Sequence, residues 1–192
     1  MSSIKNYLSL VKFSHTIFAM PFALIGFFLG LFSLFFNSKT GNSLPEGFIG
    51  STIGFHATYD WKFFAIKFAL VIFCMIFARS AAMAFNRWLD ANFDAKNPRT
   101  AIREIPAGVI KSNNALLFVI VNCILFIVCT LFINKICFYL SPVALFVVLF
   151  YSYTKRFTAL CHLVLGVGLS LAPIGAYLAV TGQFAILPIL FS

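Results

Sequence analysis

Apolar residues form long, unbroken stretches along this chain, and short polar segments separate them. A membrane core of about 30 Å is crossed by a helix of about 20 apolar residues, which is close to the length of these stretches. They do not show the alternating pattern of β-barrel strands. We therefore predict an all-α, polytopic transmembrane helical bundle with five full spans and the start of a sixth. The predicted spans are residues 14–36, 63–85, 115–134, 136–153 and 159–181, and the sixth begins at Phe184.

The composition favours a membrane protein over a soluble one. Of the 192 residues, 61% are hydrophobic and 10% are charged, whereas soluble domains are about 25% charged. The formal net charge of +9 would suit nucleic acid, but the basic residues fall mostly in short segments between the spans. We therefore expect membrane lipid and no nucleic acid as a partner, and we treat residues 1–192 as a single domain.

The distribution of Lys and Arg predicts the orientation. With a cytoplasmic N-terminus, most basic residues outside the spans lie on the inner side, as the positive-inside rule requires. We predict an inner-membrane protein whose polar segments 86–112 and 151–158 share the cytoplasmic face. The inner set is Lys5, Lys12, Arg87, Lys96, Arg99, Arg103, Lys111, Lys155 and Arg156, and the outer set is Lys39, Lys62, Lys67 and Lys135.

The cysteines and histidines lack the spacing of a metal or disulfide site. The cysteines lie within or at the ends of apolar stretches without a C-x-x-C pair, so we interpret them as packing thiols. We assign His15, His56 and His162 to packing, interface or loop positions rather than to catalysis. The cysteines are Cys74, Cys123, Cys129, Cys137 and Cys161.

A polar segment after the second span carries the candidate chemistry. Asn86, Asp90 and Asp94 are spaced i, i+4 and i+8, so on a helix they occupy one stripe about 80° wide. Two carboxylates this close repel each other, and a hard divalent cation removes the conflict. Mg²⁺ commonly takes one or two carboxylates and completes its shell with water and substrate phosphate. The spacing predicts a Mg²⁺ site.

Two other interpretations fit parts of this segment. The acids could form a solvated end of the second helix and pair with Arg87 and Lys96. The string DANFDAKN also begins like a calcium-binding EF-hand loop, but Ala95 and Ala101 stand where that loop needs glycine and glutamate. The EF-hand is excluded, whereas the solvated helix end stays open.

Further basic residues extend the candidate site. Arg79 lies seven residues before Asn86, on the same stripe and about 10 Å deeper in the span. An arginine there costs about 3 kcal/mol and usually faces a polar cavity, although it can also snorkel to the interface. The following loop adds Arg99 and Arg103, which suit a diphosphate but also fit plain positive-inside charge.

The motif N-x-x-x-D-x-x-x-D at 86–94, followed by NPRTAIREIPAG, resembles the first aspartate-rich motif of the UbiA-type membrane prenyltransferases. The form R-T-x-x-R-E-I-P-x-G at 99–108 is most similar to the 4-hydroxybenzoate polyprenyltransferase branch of quinone biosynthesis. YSYTKRFT, with Tyr151 and Lys155, resembles the family's Tyr-Lys element, and KFSHTIFAMPFALIG resembles its opening helix. The resemblance covers the whole chain.

This resemblance implies a helical bundle around a cavity open to the cytoplasm and to lipid. Mg²⁺ would bind the diphosphate of a polyprenyl donor, and the prenyl group would be transferred to an aromatic acid such as 4-hydroxybenzoate. The implied metal ligands are Asn86, Asp90 and Asp94. The catalytic candidates are Asp90, Asp94 and Lys155, together with Arg79, which is added from its helical position alone. The candidate substrate contacts are Asn86, Arg99, Arg103, Tyr151 and Arg156.

The chain also departs from the family pattern. Family members are longer and carry a second aspartate-rich motif, whereas Glu104 is the last acidic residue here. We therefore expect a chain that is incomplete at its C-terminus and that turns over poorly as it stands. The alternative function is a non-catalytic membrane protein that binds polyprenyl lipid or a partner subunit.

Overall fold

The computed structural model of the protein describes residues 3–11, 13–39, 61–158 and 161–190. The predicted outer loop with His56, and the side chain of His15, lie outside the described residues. Within them the chain forms seven α-helices and no strand. The helices are α1 (Ser3–Leu10), α2 (Phe13–Lys39), α3 (Trp61–Asp94), α4 (Ser112–Ile133), α5 (Lys135–Thr154), α6 (Cys161–Thr181) and α7 (Ile186–Leu190).

Four helices, α3 to α6, are long and apolar enough to cross a membrane among the described residues. The all-helical membrane fold is therefore confirmed. In α2 the apolar run covers Met20–Phe35, and α7 has five residues, so the count of five spans and a sixth stays a prediction. Helix α3 continues past the predicted end at residue 85 to Asp94, which carries the acidic stripe beyond the apolar part. The sequence analysis did not predict α1.

Close packing of α2 on α6 depends on glycine. A Cβ atom added at Gly26 would lie 2.2 Å from the carbonyl oxygen of Pro173, and one at Gly30 would lie 3.0 Å from Cβ of Val180. Larger side chains at these positions would push the two helices apart. This contact joins α2 to a core that includes Phe27, Val71 and Leu178 among its members.

A second apolar cluster lies where α3 ends and α4 begins. Leu10 of α1 is fully buried there, against residues that include Ala84 and Ile105. The ring of Tyr7 stacks on Phe118 at 5.1 Å. The loop between α3 and α4 folds back as a series of turns, and this cluster fixes both α1 and the loop at the end of α3. We call this end of the bundle the site end.

Side-chain to backbone hydrogen bonds close the opposite end of the bundle. Lys67, buried in α3, donates to the carbonyl oxygen of Ile133. Asn134, between α4 and α5, donates to the carbonyl oxygen of Leu178 at 2.7 Å and accepts from the backbone N–H of Cys137 at 2.6 Å. The five cysteines form no disulfide with one another and lie in buried or half-buried positions, in agreement with their predicted role in packing.

Candidate active site

Two residues of the acidic stripe meet the C-terminal end of α5. The Lys155 amine donates to Asn86 Oδ1 at 2.9 Å and forms an ion pair with Asp90. One ammonium group therefore binds oxygens from two successive turns of α3. The predicted segments around 86–94 and 151–158 do lie at the same end of the bundle.

Arg156 adds a second cation on Asp90. Its guanidinium donates to the carbonyl oxygen of Leu89, lies 3.5 Å from Asp90 Oδ1, and sits 4.9 Å from the ring centroid of Phe93. The Asp90 side chain is 13% exposed, so its carboxylate is largely enclosed by Lys155 and Arg156. An anion at this position would meet both cations at once.

Asp94 has a different partner from Asp90. Its carboxylate accepts from Arg103 at 2.7 Å, and its backbone carbonyl accepts from the Thr100 hydroxyl at 3.0 Å. Both partners belong to the loop after α3. Asp94 therefore fastens this loop to the end of α3, while Asn86 and Asp90 face α5.

The remaining predicted site residues lie around this cluster. Arg79 is half-buried in α3, and its buried Nε has no hydrogen-bond partner within the described part of the chain. Tyr151 is half-buried on α5, one turn before Lys155, and Arg99 is exposed in the loop. The sequence analysis did not single out Ser152, whose buried hydroxyl also lacks a partner among the described residues. Arg79 Nε and Ser152 Oγ are thus buried polar atoms without a partner in this part of the chain.

The donor set at Asn86 and Asp90 fits a hard cation. Among the described residues, no group of three or more His, Cys, Asp or Glu side chains converges as a preformed metal site. Asn86 and Asp90, however, direct an amide oxygen and a carboxylate oxygen toward the Lys155 ammonium group. The position of this ammonium group is therefore one that favours a cation. Two such ligands are enough for Mg²⁺ when water and phosphate complete its shell. Asp94, held by Arg103, is not turned to that point.

An apolar cavity of about 190 Å³ lies between α3, α4, α5 and α6. Ala78 and Val148 line it on the side of the acidic cluster, and Ile133 and Leu178 line it toward the opposite end. Ala78 precedes Asn86 by eight residues, or about 12 Å along a helix. Arg79, next to Ala78, therefore lies at a level between the cavity and the polar cluster.

A fourth ion pair at the site end was not predicted from the sequence. Arg87, read as a possible partner of the neighbouring acids, instead pairs with Glu104 of the loop, and both side chains are largely buried. Arg87 lies about 100° from Asn86 and about 60° from Asp90 around α3, but only about 20° from Asp94. Helical spacing therefore gave no signal against a pairing of Arg87 with Asp94, and the contact with Glu104 depends on how the loop folds back.

Similarity to known proteins agrees with this geometry. The model of the UbiA prenyltransferase family matches residues 43–192. A 4-hydroxybenzoate octaprenyltransferase from Tolumonas auensis is 37% identical over 108 residues, 56% of this chain and 38% of that protein. One from Actinobacillus pleuropneumoniae serotype 5b is 34% identical over 142 residues, 69% and 48% of the two chains. The chain thus spans half or less of the length of these relatives.

Two solved structures share the fold. A UbiA homologue from Aeropyrum pernix K1 superposes with a TM-score of 0.67 at 26% identity, covering 93% of this chain and 55% of that chain. A digeranylgeranylglyceryl phosphate synthase structure gives a TM-score of 0.70 at 20% identity, with 99% and 57% covered, which supports the fold alone. Because the family model matches well over half of the sequence, this integral membrane chain belongs to the UbiA prenyltransferase family.

Proposed function

We propose that the protein transfers a polyprenyl group from polyprenyl diphosphate to an aromatic acid resembling 4-hydroxybenzoate, in quinone biosynthesis. The observation that carries this proposal is the convergence of Asn86 and Asp90 on the Lys155 amine at the mouth of an apolar bundle. Hard oxygen ligands and basic side chains at one point suit a metal-bound diphosphate. The cavity below them suits a hydrocarbon tail.

Each polar group receives a role in this proposal. Asn86 and Asp90 would hold Mg²⁺, and Asp94 would become available as a further ligand if Arg103 turned to the diphosphate. When bound, Mg²⁺ stabilises the negative charge that develops on the departing diphosphate. The Lys155 amine, which contacts Asn86 and Asp90, donates hydrogen bonds to the phosphate oxygens of the bound substrate. These groups lower the barrier because they are oriented before the allylic C–O bond breaks.

Other basic and aromatic residues complete the substrate site. Arg156 and Arg99 contribute positive charge to the diphosphate, and Tyr151 lies beside it as a donor. Arg79, with its unused buried Nε, offers a hydrogen bond to an anionic group deeper in the site, such as the carboxylate of the acceptor. The apolar lining keeps water away from the allylic cation until the aromatic ring captures it.

We further propose that α2 also crosses the membrane, which brings the number of full spans to five, and that α7 begins a sixth span within one membrane domain. The site then faces the cytoplasm, with the N-terminus on the same side of the inner membrane. A single cysteine placed at Ala107 in an otherwise cysteine-free chain tests this. This cysteine should not react with an impermeant maleimide in intact cells and should react once the membrane is permeabilised. Labelling in intact cells would show that the orientation is opposite to the proposed one.

The function is tested with the purified chain in nonionic detergent, radiolabelled geranyl diphosphate, 4-hydroxybenzoate and Mg²⁺. We expect labelled product that disappears with EDTA and with Asp90→Asn. Asn92→Ala is the matched control, because Asn92 is exposed on the same helix two residues away and should keep activity. Product formation that survives both EDTA and Asp90→Asn would contradict the metal assignment.

The same samples address the non-catalytic alternative, which the apolar cavity also allows. Binding of the labelled diphosphate is measured by filtration in parallel with product formation. Saturable binding without product, unaffected by Asp90→Asn, would favour a polyprenyl-binding protein over an enzyme.

A further inference from the structure

Glu104 connects three separate segments at the site end. One carboxylate oxygen pairs with Arg87 of α3, and the other accepts from the Ser9 hydroxyl of α1 at 2.5 Å. Glu104 itself belongs to the loop between α3 and α4. A single carboxylate therefore joins the N-terminal helix, the helix with the acidic stripe, and the basic loop.

This carboxylate is placed for support rather than for binding metal or substrate. Both of its oxygens are already used, and the Arg87 and Glu104 side chains are only 9% and 15% exposed. Arg87 projects about 100° away from Asn86 around α3. Arg87 and Ser9 are the contacts of Glu104, whereas Lys155 contacts Asn86 and Asp90.

The loop is also fixed on both sides of Glu104. Arg103, the preceding residue, binds Asp94 at 2.7 Å. Ile105, the following residue, packs in the same apolar cluster as the fully buried Leu10 of α1. Because neighbouring residues share one stretch of backbone, fixing Glu104 limits the positions that the Arg103 guanidinium can reach.

We propose that Glu104 is a positioning residue that anchors the basic loop to α1 and α3, so that the backbone of Arg103 is held where its guanidinium can reach either Asp94 or the diphosphate. The N-terminal helix thereby becomes part of the support of the site. The anchoring stands on these contacts alone. Its effect on diphosphate binding rests on the proposed function.

The anchoring is tested by hydrogen exchange on the full chain in nonionic detergent. Glu104→Leu should raise exchange in peptides from the 95–111 loop by about tenfold or more, since local opening becomes easier, and should also raise it in α1. Ser9→Ala should raise exchange in α1 with little change in the loop. Lys111→Ala, at the exposed last residue of the loop, is the control and should leave both unchanged.

Two further variants separate anchoring from general destabilisation. Glu104→Gln keeps one acceptor oxygen, for either Arg87 or Ser9, and should raise loop exchange less than Glu104→Leu. The charge-exchanged double variant R87E/E104R should restore part of the protection in the loop. The proposal would be overturned if Glu104→Leu left loop exchange unchanged, or raised it equally in α5 and α6.

Kinetics supply a second measurement where the wild-type chain shows transfer. Misplacing Arg103 should raise KM for geranyl diphosphate about tenfold, with a smaller change in kcat, because substrate binding is weakened more than chemistry. A reduced amount of folded protein would instead lower apparent kcat at constant KM. A wild-type chain without transfer would refute the proposed function, while the exchange data would still decide the anchoring.

Discussion

At the site end of the bundle, Lys155 and Arg156 contact the carboxylate of Asp90, whereas at the opposite end Lys67 and Asn134 donate to backbone carbonyl groups. Both ends place polar side chains among apolar helices. The partners differ: Lys155 binds side chains, and Arg156 binds the Asp90 side chain as well as the carbonyl oxygen of Leu89, whereas Lys67 and Asn134 donate to the main chain.

This difference decides which groups are free to bind a ligand. The carbonyl of Ile133, at the last residue of α4, belongs to the helix end that lacks an intrahelical donor. Lys67 therefore completes the hydrogen bonding of the fold. At the site end, Lys155 is 32% exposed, and it can exchange Asp90 for a phosphate oxygen without leaving a backbone group unpaired.

Ionisable residues in membrane helices are usually the first candidates for function, and Lys67 shows why the partner must also be known. Its ammonium is buried against a carbonyl oxygen and lies 5.4 Å from the ring centroid of Phe63. We therefore assign Lys67 to stability and Lys155 to binding, and the predictions below test that division.

The largest effect is expected for Lys155→Met. Removing one cation that stabilises charge at a reacting centre typically lowers the rate about 100-fold or more, so kcat/KM for prenyl transfer should fall by that amount. The melting temperature should change little. Lys135→Met is the matched control, because Lys135 is exposed at the opposite end and should keep its activity. Full activity in Lys155→Met would remove Lys155 from the site.

Asn134→Ala should have the next largest effect, on stability rather than activity. It removes the donor to Leu178 and the cap of the buried N–H of Cys137, which together cost about 1–3 kcal/mol. A loss of that size lowers the melting temperature by several degrees in a chain of this length. Thermal unfolding in detergent measures it, and the activity per folded molecule should be unchanged.

Asn134→Ser sharpens this result. Serine is also a good N-cap residue, so it retains an acceptor for Cys137 and loses the bond to Leu178. Its melting temperature should lie between those of the wild type and Asn134→Ala. A loss of activity larger than the loss of folded protein would show that the opposite end also serves the site.

The sequence predicted those parts of the site that depend on one helix. The i, i+4 spacing of Asn86 and Asp90 and the 3.6-residue repeat were enough to place both on one stripe, and α3 does continue through Asp94. Positive-inside counting placed the two polar segments at one end, where Lys155 does meet Asn86.

The sequence could not predict contacts that depend on how separate segments pack. Arg87 and Glu104 are 17 residues apart and pair because the loop folds back. Helix α1 has eight residues, a length that is marginal for an isolated helix, and it gains stability from burial of Leu10. The sequence placed Lys67 among the outer-side charges. Its burial against the carbonyl oxygen of Ile133 could not be predicted, because that carbonyl belongs to another helix, α4.

The smallest effect is expected for Arg156→Met, and its response to salt tests the comparison between the two ends. Arg156 is 25% exposed and lies 3.5 Å from Asp90 Oδ1, and such partly exposed ion pairs contribute about 0–1 kcal/mol. The melting temperature of the variant should therefore fall by no more than about 4 °C. The difference from wild type should shrink when NaCl is raised from about 0.05 M to about 0.5 M, since salt screens exposed charges.

The difference in melting temperature between Asn134→Ala and wild type should not respond to salt, because the hydrogen bonds of Asn134 are uncharged and buried. Equal salt dependence of the two variants would mean that the two ends are stabilised in the same way, and the division between exchangeable and structural polar groups would then be wrong.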